Sequence, residues 1–186
     1  MTGDEATLAV IDVFDQLKVP YMLVGSFSTN LYGIPRSTED ADFVVESAAF
    51  HVRLLAENLG PAFRLDPQMT FETATMTFRH VFEVVGTDFK IEVFYLSDDP
   101  HDQERFRRRR RITLLGHQVC VPTPEDVIIT KIRWVTQIQR LKDFDDARNV
   151  IAVQGSTIDW QYVYSWCDRH GTRETLDEVR RSIPPI

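Results

Sequence analysis

The octapeptide RSTEDADF, residues 36–43, places Glu39, Asp40 and Asp42 within four positions, directly ahead of the apolar run Phe43-Val44-Val45. A strand entering a core avoids unpaired carboxylates, because burying them is costly or forces them to take up protons. In an extended segment alternate side chains share a face, so Asp40 and Asp42 converge while Glu39 and Ala41 point the other way. The usual resolutions of such a pair are a raised pKa, an arginine partner or a divalent metal. Magnesium suits it, as a hard cation that takes one or two protein carboxylates and fills its shell with water and substrate phosphates. A third acid comes from DFKIEVFYL, residues 88–96, where Glu92 sits mid-strand among alternating Ile91, Val93 and Tyr95. If the two strands are neighbours, Asp40, Asp42 and Glu92 would cluster and hold two metals, which is the geometry of phosphoryl transfer.

Upstream, Gly25-Ser26 stands where an apolar strand gives way to a helix start. Free amides and the positive end of the helix dipole make an anion site there, and glycine lets a phosphate approach closely. The run LVGSFSTNLYGIPRSTEDADFVV resembles the Gly-Ser motif and the R-x-T-x-D-x-D signature of the nucleotidyltransferase superfamily, and KIEVF resembles its third acidic strand. VPTPEDVIITKIRW and RLKDFDDARNVI are similar to helical segments of small bacterial members, notably the AbiEii-type toxin nucleotidyltransferases. The resemblance covers roughly residues 20 to 165. It implies a small αβ nucleotidyltransferase fold in which Gly25 and Ser26 bind NTP phosphates, with Arg36, Thr38 and Lys131 as further nucleotide-binding positions. Asp40 and Asp42 would bind Mg2+, and Glu92 would be a third ligand or a base for the acceptor hydroxyl. Position 92 carries Glu where the commonest pattern has Asp.

Lys131, inside Val127, Ile128, Ile132 and Val135, either reaches a triphosphate or extends its amine to solvent. Arg36 has three readings: a partner of Asp40, a substrate contact, or a surface arginine after a proline turn. Asp143, Asp145 and Asp146 are expected to orient helices or pair with arginines rather than bind metal. RFRRRRR, residues 105–111, reads as a solvated face balanced by Asp98, Asp99, Asp102 and Glu104, or else as a phosphate strip for an RNA acceptor such as tRNA. The five histidines lack zinc-helix spacing, the three tryptophans read as packing residues, and no P-loop or dinucleotide fingerprint is present.

These residues need elements to hold them. Leu8, Val10, Ile11, Phe14 and Leu17 recur at helical spacing, with Thr2 or Asp4 available as cap; Tyr21–Val24 is a buried strand followed by a helix stopped at Gly33. A strand then runs to about Glu46, Ser47 caps a helix ending at Gly60, and strands follow at Phe63–Asp66, Thr70–Val85 and Phe89–Leu96, the last two joined by a hairpin at Gly86-Thr87-Asp88. Beyond Pro122 and Pro124 the period turns helical. The fold class is therefore α/β (α+β): a mixed β-sheet flanked by helices over residues 1–121, then a helical region over 122–186 packed on the sheet or on itself.

The chain has 186 residues, 43% hydrophobic and 26% charged, which suits one main globular domain and excludes a disordered chain. Its formal charge of -7 argues against a general nucleic-acid-coating protein. Cys120 and Cys167 match no zinc or disulfide pattern and read as reduced, buried thiols. Acids near the N-terminus and the lack of a run of ~20 apolar residues predict a soluble, cytoplasmic protein off the membrane. Two functional classes follow. One is an Mg2+-dependent enzyme moving NMP from an NTP to RNA, protein or a small molecule such as a polycationic aminoglycoside. The other is a catalytically silent module that senses nucleotide or pairs with a toxin or antitoxin partner.

Overall fold

The first helix, α1 (Gly3–Leu17), begins with a reciprocal cap: Thr2 Oγ1 accepts from the Glu5 amide at 3.2 Å and Glu5 Oε2 accepts from the Thr2 amide at 2.8 Å. It buries Val10, Ile11 and Phe14. Strand β1 (Tyr21–Val24) leads directly into α2 (Gly25–Tyr32), and β2 (Asp40–Val45) follows. The computed structural model describes residues 1–73 and 76–184.

Ser47 does not cap a continuous helix. Residues Ser47–Ala49 form a single 3-10 turn, the backbone is extended at Phe50 and His51, and α3 (Val52–Leu59) starts only then. Phe50 is 4% exposed and its ring meets Phe14 and Tyr95, so burying this side chain outweighs helix continuity. The strand expected over Thr70–Val85 is two strands. After β3 (Phe63–Leu65), β4 (Thr70–Glu72) folds back on β5 (Thr77–Val84) in the register Thr70↔Arg79, Phe71↔Phe78, Glu72↔Thr77; Ala74 and Thr75, within the predicted strand, lie outside the described residues. Strand β6 (Lys90–Tyr95) returns antiparallel to β5 through the predicted turn.

The sheet order is β1-β2-β6-β5-β3, with β4 beside β3 along the same edge of β5; β2 and β6 are parallel and their other pairings antiparallel. Alternation gives the sheet two unlike faces. One carries Leu23, Ala41, Phe43, Val45, Ile91, Val93 and Phe82 and is covered by α1, whose Phe14 stacks on Tyr21 and meets Phe43 edge-on. The other closes at one end around Met22, Val24, Val44, Phe94 and Phe106 and carries Asp40, Asp42, Lys90 and Glu92 at the other, with Arg79 on β5 level with Phe94.

Helix α4 (Pro100–Arg108) and the hairpin β7 (Arg110–Leu114) and β8 (His117–Val121) complete this unit, which comprises Met1–Phe27 and Ser37–Val121. The β7–β8 hairpin was not expected, because its first strand begins inside the arginine run. It turns at Leu115 and Gly116, both at positive φ (48° and 84°).

The second unit comprises Ser28–Arg36 and the chain from Pro122 onward, whereas the sequence reading assigned residues 28–36 to the first. Helix α5 (Pro124–Ile138) starts with Thr123 accepting from the Asp126 amide and Pro124 in the first turn. It is followed by α6 (Leu141–Gln154), α7 (Trp160–His170) and α8 (Arg173–Arg181). Ile128, Ile129, Ile132, Val150, Val163, Trp166 and Leu176 make its core, with Tyr32 packed against it. The Tyr32 hydroxyl donates to the Pro122 carbonyl at 2.8 Å. Among the described residues no helix is long and apolar enough to cross a membrane.

Candidate functional site

The parallel pairing of β2 with β6 sets Asp42 opposite Glu92 and Asp40 opposite Lys90. Register partners in a sheet project to the same side, so Asp40, Asp42 and Glu92 share one face on adjoining strands, roughly 5 Å apart. Each is half-buried and flanked along its strand by buried residues, Ala41 and Phe43 on β2 and Ile91 and Val93 on β6, which fixes the backbone beneath it. Thr38 Oγ1 lies 2.9 Å from Asp40 Oδ1 and 3.0 Å from the Asp40 carbonyl, so it orients the Asp40 carboxylate from its own loop.

Gly25 is the first residue of α2 and sits at φ 62°. A Cβ there would lie 2.9 Å from Asp42 Cγ and collide with Oδ2. The strand-to-helix junction therefore needs glycine twice over, for its backbone angle and for the approach of Asp42 to the helix start. Ser26, the next residue of that first turn, adds its amide to the same end of the helix.

Glu92 is not open in the way the sequence suggested. Its Oε2 accepts from Arg79 Nη1 at 2.6 Å, with the carboxylate 16% exposed. Burial pushes the Glu92 carboxyl up, the Arg79 guanidinium pulls it down and the Asp40 charge raises it, leaving it above the ordinary glutamate value. Among the described residues no group of three His, Cys, Asp or Glu side chains is arranged to hold a metal ion. The two aspartates remain a hard-oxygen pair that fits magnesium. Beside them opens a cleft of about 660 Å³ whose charged lining is Glu39, Asp40, Glu83, Asp88 and Glu92 against Arg64 and Lys90.

Arg36 pairs with Asp146. In the second unit its Nε and Nη2 each donate to the Asp146 carboxylate at 3.0 Å, and its amide and carbonyl are held by the Asn30 side chain at 3.0 and 2.7 Å. Lys131 does not extend to solvent: its side chain is 5% exposed and its Nζ donates to Asp143 at 2.7 Å and Asp146 at 2.8 Å, 5.1 Å from the Trp134 ring centroid. Burial pushes the Asp146 carboxyl up, but the Arg36 hydrogen bonds and the Lys131 ammonium outweigh it, and the group ends below the ordinary aspartate value. Asp143 also meets Arg140 at 3.3 Å and Asp145 meets Arg148 at 2.9 Å, so these aspartates pair with cations as expected.

The arginine run is divided. Arg105 is buried against Asp102 at 2.9 Å, Arg107 pairs with Glu104 at 2.7 Å, Arg109 lies over the Phe106 ring, and Arg110 and Arg111 are exposed on β7. Sequence reasoning missed Arg79. Counting back through the β5–β6 hairpin would have found it, since positions 79, 81 and 83 share the face of 90, 92 and 94.

Solved structures that this fold resembles include nucleotidyltransferases. The antibiotic-resistance factor ANT(2'')-Ia, described in solution, superposes with a TM-score of 0.64 at 12% identity, covering 97% of this chain and 98% of that one. An antigenic nucleotidyltransferase-like protein from Paracoccidioides brasiliensis gives 0.53 at 18% identity over 97% and 94% of the two chains. The lincosamide antibiotic adenylyltransferase LnuA, bound to lincomycin, gives 0.51 at 12% identity over 80% and 96%. At such identities the likeness is one of fold: a mixed sheet with helices and a C-terminal helical region. No curated protein matches the sequence. Residues 12–183 match the family described as nucleotidyl transferase AbiEii toxin, type IV TA system, and with nearly its whole length matched this chain belongs to that nucleotidyltransferase family.

Proposed function

We propose that this protein is a magnesium-dependent enzyme that transfers NMP from an NTP to a hydroxyl or phosphate of an acceptor. The observation that carries this reading is the β2–β6 register, which sets Asp42 beside Glu92 with Asp40 on the same face, together with the glycine-led helix start against Asp42. Asp40 and Asp42 would hold the ion, which when bound neutralises the triphosphate and polarises the reacting phosphoryl group. Gly25 and Ser26 offer amides at the start of α2 to the phosphates. Thr38 keeps the Asp40 carboxylate turned toward its place. Glu92 faces the same side from β6, where it can take the acceptor's proton. Arg36 and Lys131, named as nucleotide-binding positions, are engaged in the charge network of the second unit. Most of the acceleration then comes from positioning and charge neutralisation.

The type IV toxin family supports an RNA acceptor such as tRNA and an antitoxin protein as partner. A small cationic acceptor is favoured by a different observation, the excess of carboxylates lining the cleft beside Asp40 and Glu92. A catalytically silent module, which binds nucleotide without turnover, draws its support from the commitment of Glu92 to Arg79.

The test is label transfer from α-32P-labelled NTPs to total bacterial tRNA, to a protein pool and to a panel of aminoglycosides and lincosamides. Asp40→Asn and Asp42→Asn are expected to abolish transfer with unchanged circular dichroism and melting. Transfer that survives both substitutions overturns the site; nucleotide binding with no transfer to any pool favours the silent module.

A further inference from the structure

The guanidinium of Arg79 is fixed from three sides. Nε donates to Thr70 Oγ1 at 3.2 Å, Nη1 donates to Glu92 Oε2 at 2.6 Å, and Glu72 Oε2 stands 3.6 Å from Nη1. Its Cζ also lies 5.8 Å from the Phe94 ring centroid. Thr70 and Glu72 belong to β4, which pairs with β5 at Arg79 itself, so the hairpin that surprised the sequence reading builds this clamp. Glu92, on the central strand β6, is the carboxylate to which the clamp delivers its charge, and Glu92 is the register partner of Asp42.

We propose that Arg79 stands in for a second metal ion: the site takes one divalent cation, on Asp40 and Asp42, while Glu92, bound to Arg79, stays out of its coordination shell. This rests on the metal-dependent reading given above. A guanidinium keeps its positive charge throughout the accessible pH range and cannot leave as an exchangeable ion does. A second divalent ion approaching Glu92 meets like charge at Arg79 and a carboxylate whose Oε2 is already bound to the guanidinium. Arg79 is thus a positioning residue, supplying through Glu92 a fixed charge where a two-metal enzyme recruits a mobile one.

Manganese is the probe, titrated into the nucleotide-free protein with free Mn2+ followed by electron paramagnetic resonance. The wild-type chain is expected to bind one ion. Glu92→Gln should still bind one ion, held more weakly, because it leaves the Arg79 charge unopposed beside the site without removing a ligand. Arg79→Ala frees Glu92, so it should bind a second ion or hold the first about tenfold more tightly. Arg79→Lys should keep wild-type behaviour, and Arg79→Ala with Glu92→Gln should return to it. Two ions on the wild-type chain, or a Glu92→Gln chain that no longer binds the ion, overturns the inference while leaving the aspartate site standing. Mn2+ binding that is unchanged in both Asp40→Asn and Asp42→Asn overturns it together with the proposed function. Should Arg79→Ala fail to fold, the stoichiometry and the Glu92→Gln result decide.

Discussion

Replacing Lys131 with methionine keeps an unbranched side chain one atom shorter and removes one buried charge. The ammonium holds two carboxylates, Asp143 at 2.7 Å and Asp146 at 2.8 Å, that are 0% and 3% exposed. At an effective dielectric of about 20, opposite charges ~4 Å apart attract by about 4 kcal/mol, and much of that offsets their desolvation. Removing one partner is different, because the others stay buried: such losses run to about 3–5 kcal/mol. Here Arg36 still binds Asp146 and Arg140 still meets Asp143. The expected loss is therefore at the low end, about 3 kcal/mol, or about two orders of magnitude in the unfolding constant. All three tryptophans, Trp134, Trp160 and Trp166, fall in the second unit, so urea titration followed by their fluorescence reads this loss where it occurs. The variant also carries a pH signature. Asp146 has its folded pKa below the ordinary value, so its contribution is present above the unfolded pKa and is lost as pH falls through the folded one. Lys131→Met removes one cause of that depression, so acid unfolding should set in at a higher pH than in the wild type. A loss under about 1 kcal/mol together with an unmoved acid limb would refute the reasoning, since it would mean the carboxylates are hydrated and not held by the lysine.

Two further predictions follow from the first unit and the thiols. Gly25→Ala puts a methyl into the Asp42 carboxylate at a residue of φ 62°. The backbone strain should lower stability by about 1–2 kcal/mol, while displacement of Asp42 by about 1 Å should lower label transfer about a hundredfold; wild-type transfer in a folded variant would show that Asp42 is not placed by this contact. Cys120 and Cys167 are buried, and burial pushes the Cys167 thiol up, so a thiol-reactive disulfide reagent at pH 8 should label neither within minutes and both in guanidinium; prompt labelling of the native chain contradicts this.

What the sequence made legible was local. The α1 repeat, Tyr21–Val24 and the Gly25 junction are set by periodicity and by turn chemistry, and the alternation about Asp40 and Glu92 placed both acids on one face once their strands met. What it concealed was decided by partners far along the chain. Arg79 was overlooked although the turn at Gly86-Thr87-Asp88 was read, because its partner Glu92 lies on the neighbouring strand and one same-face pair further along the register. Arg36 lies beside Asp40 in sequence, yet its guanidinium goes to Asp146, more than a hundred residues on. Lys131 was weighed between phosphate and solvent because two aspartates twelve and fifteen positions later cannot be seen as neighbours until α5 and α6 are packed. The 3-10 turn at Ser47 was missed for a similar reason: Phe50 is drawn off the helix by Phe14 and Tyr95.

The second unit takes one short segment, Ser28–Arg36, from the first quarter of the chain and the rest from its last third. During synthesis those nine residues must wait, exposed, until the stretch after Pro122 leaves the ribosome to cover Tyr32 and give Arg36 its counter-charge. For the same reason no single proteolytic cut can free this unit whole: cleavage at Pro122 strips its core of the tyrosine and leaves Asp146 one cation short.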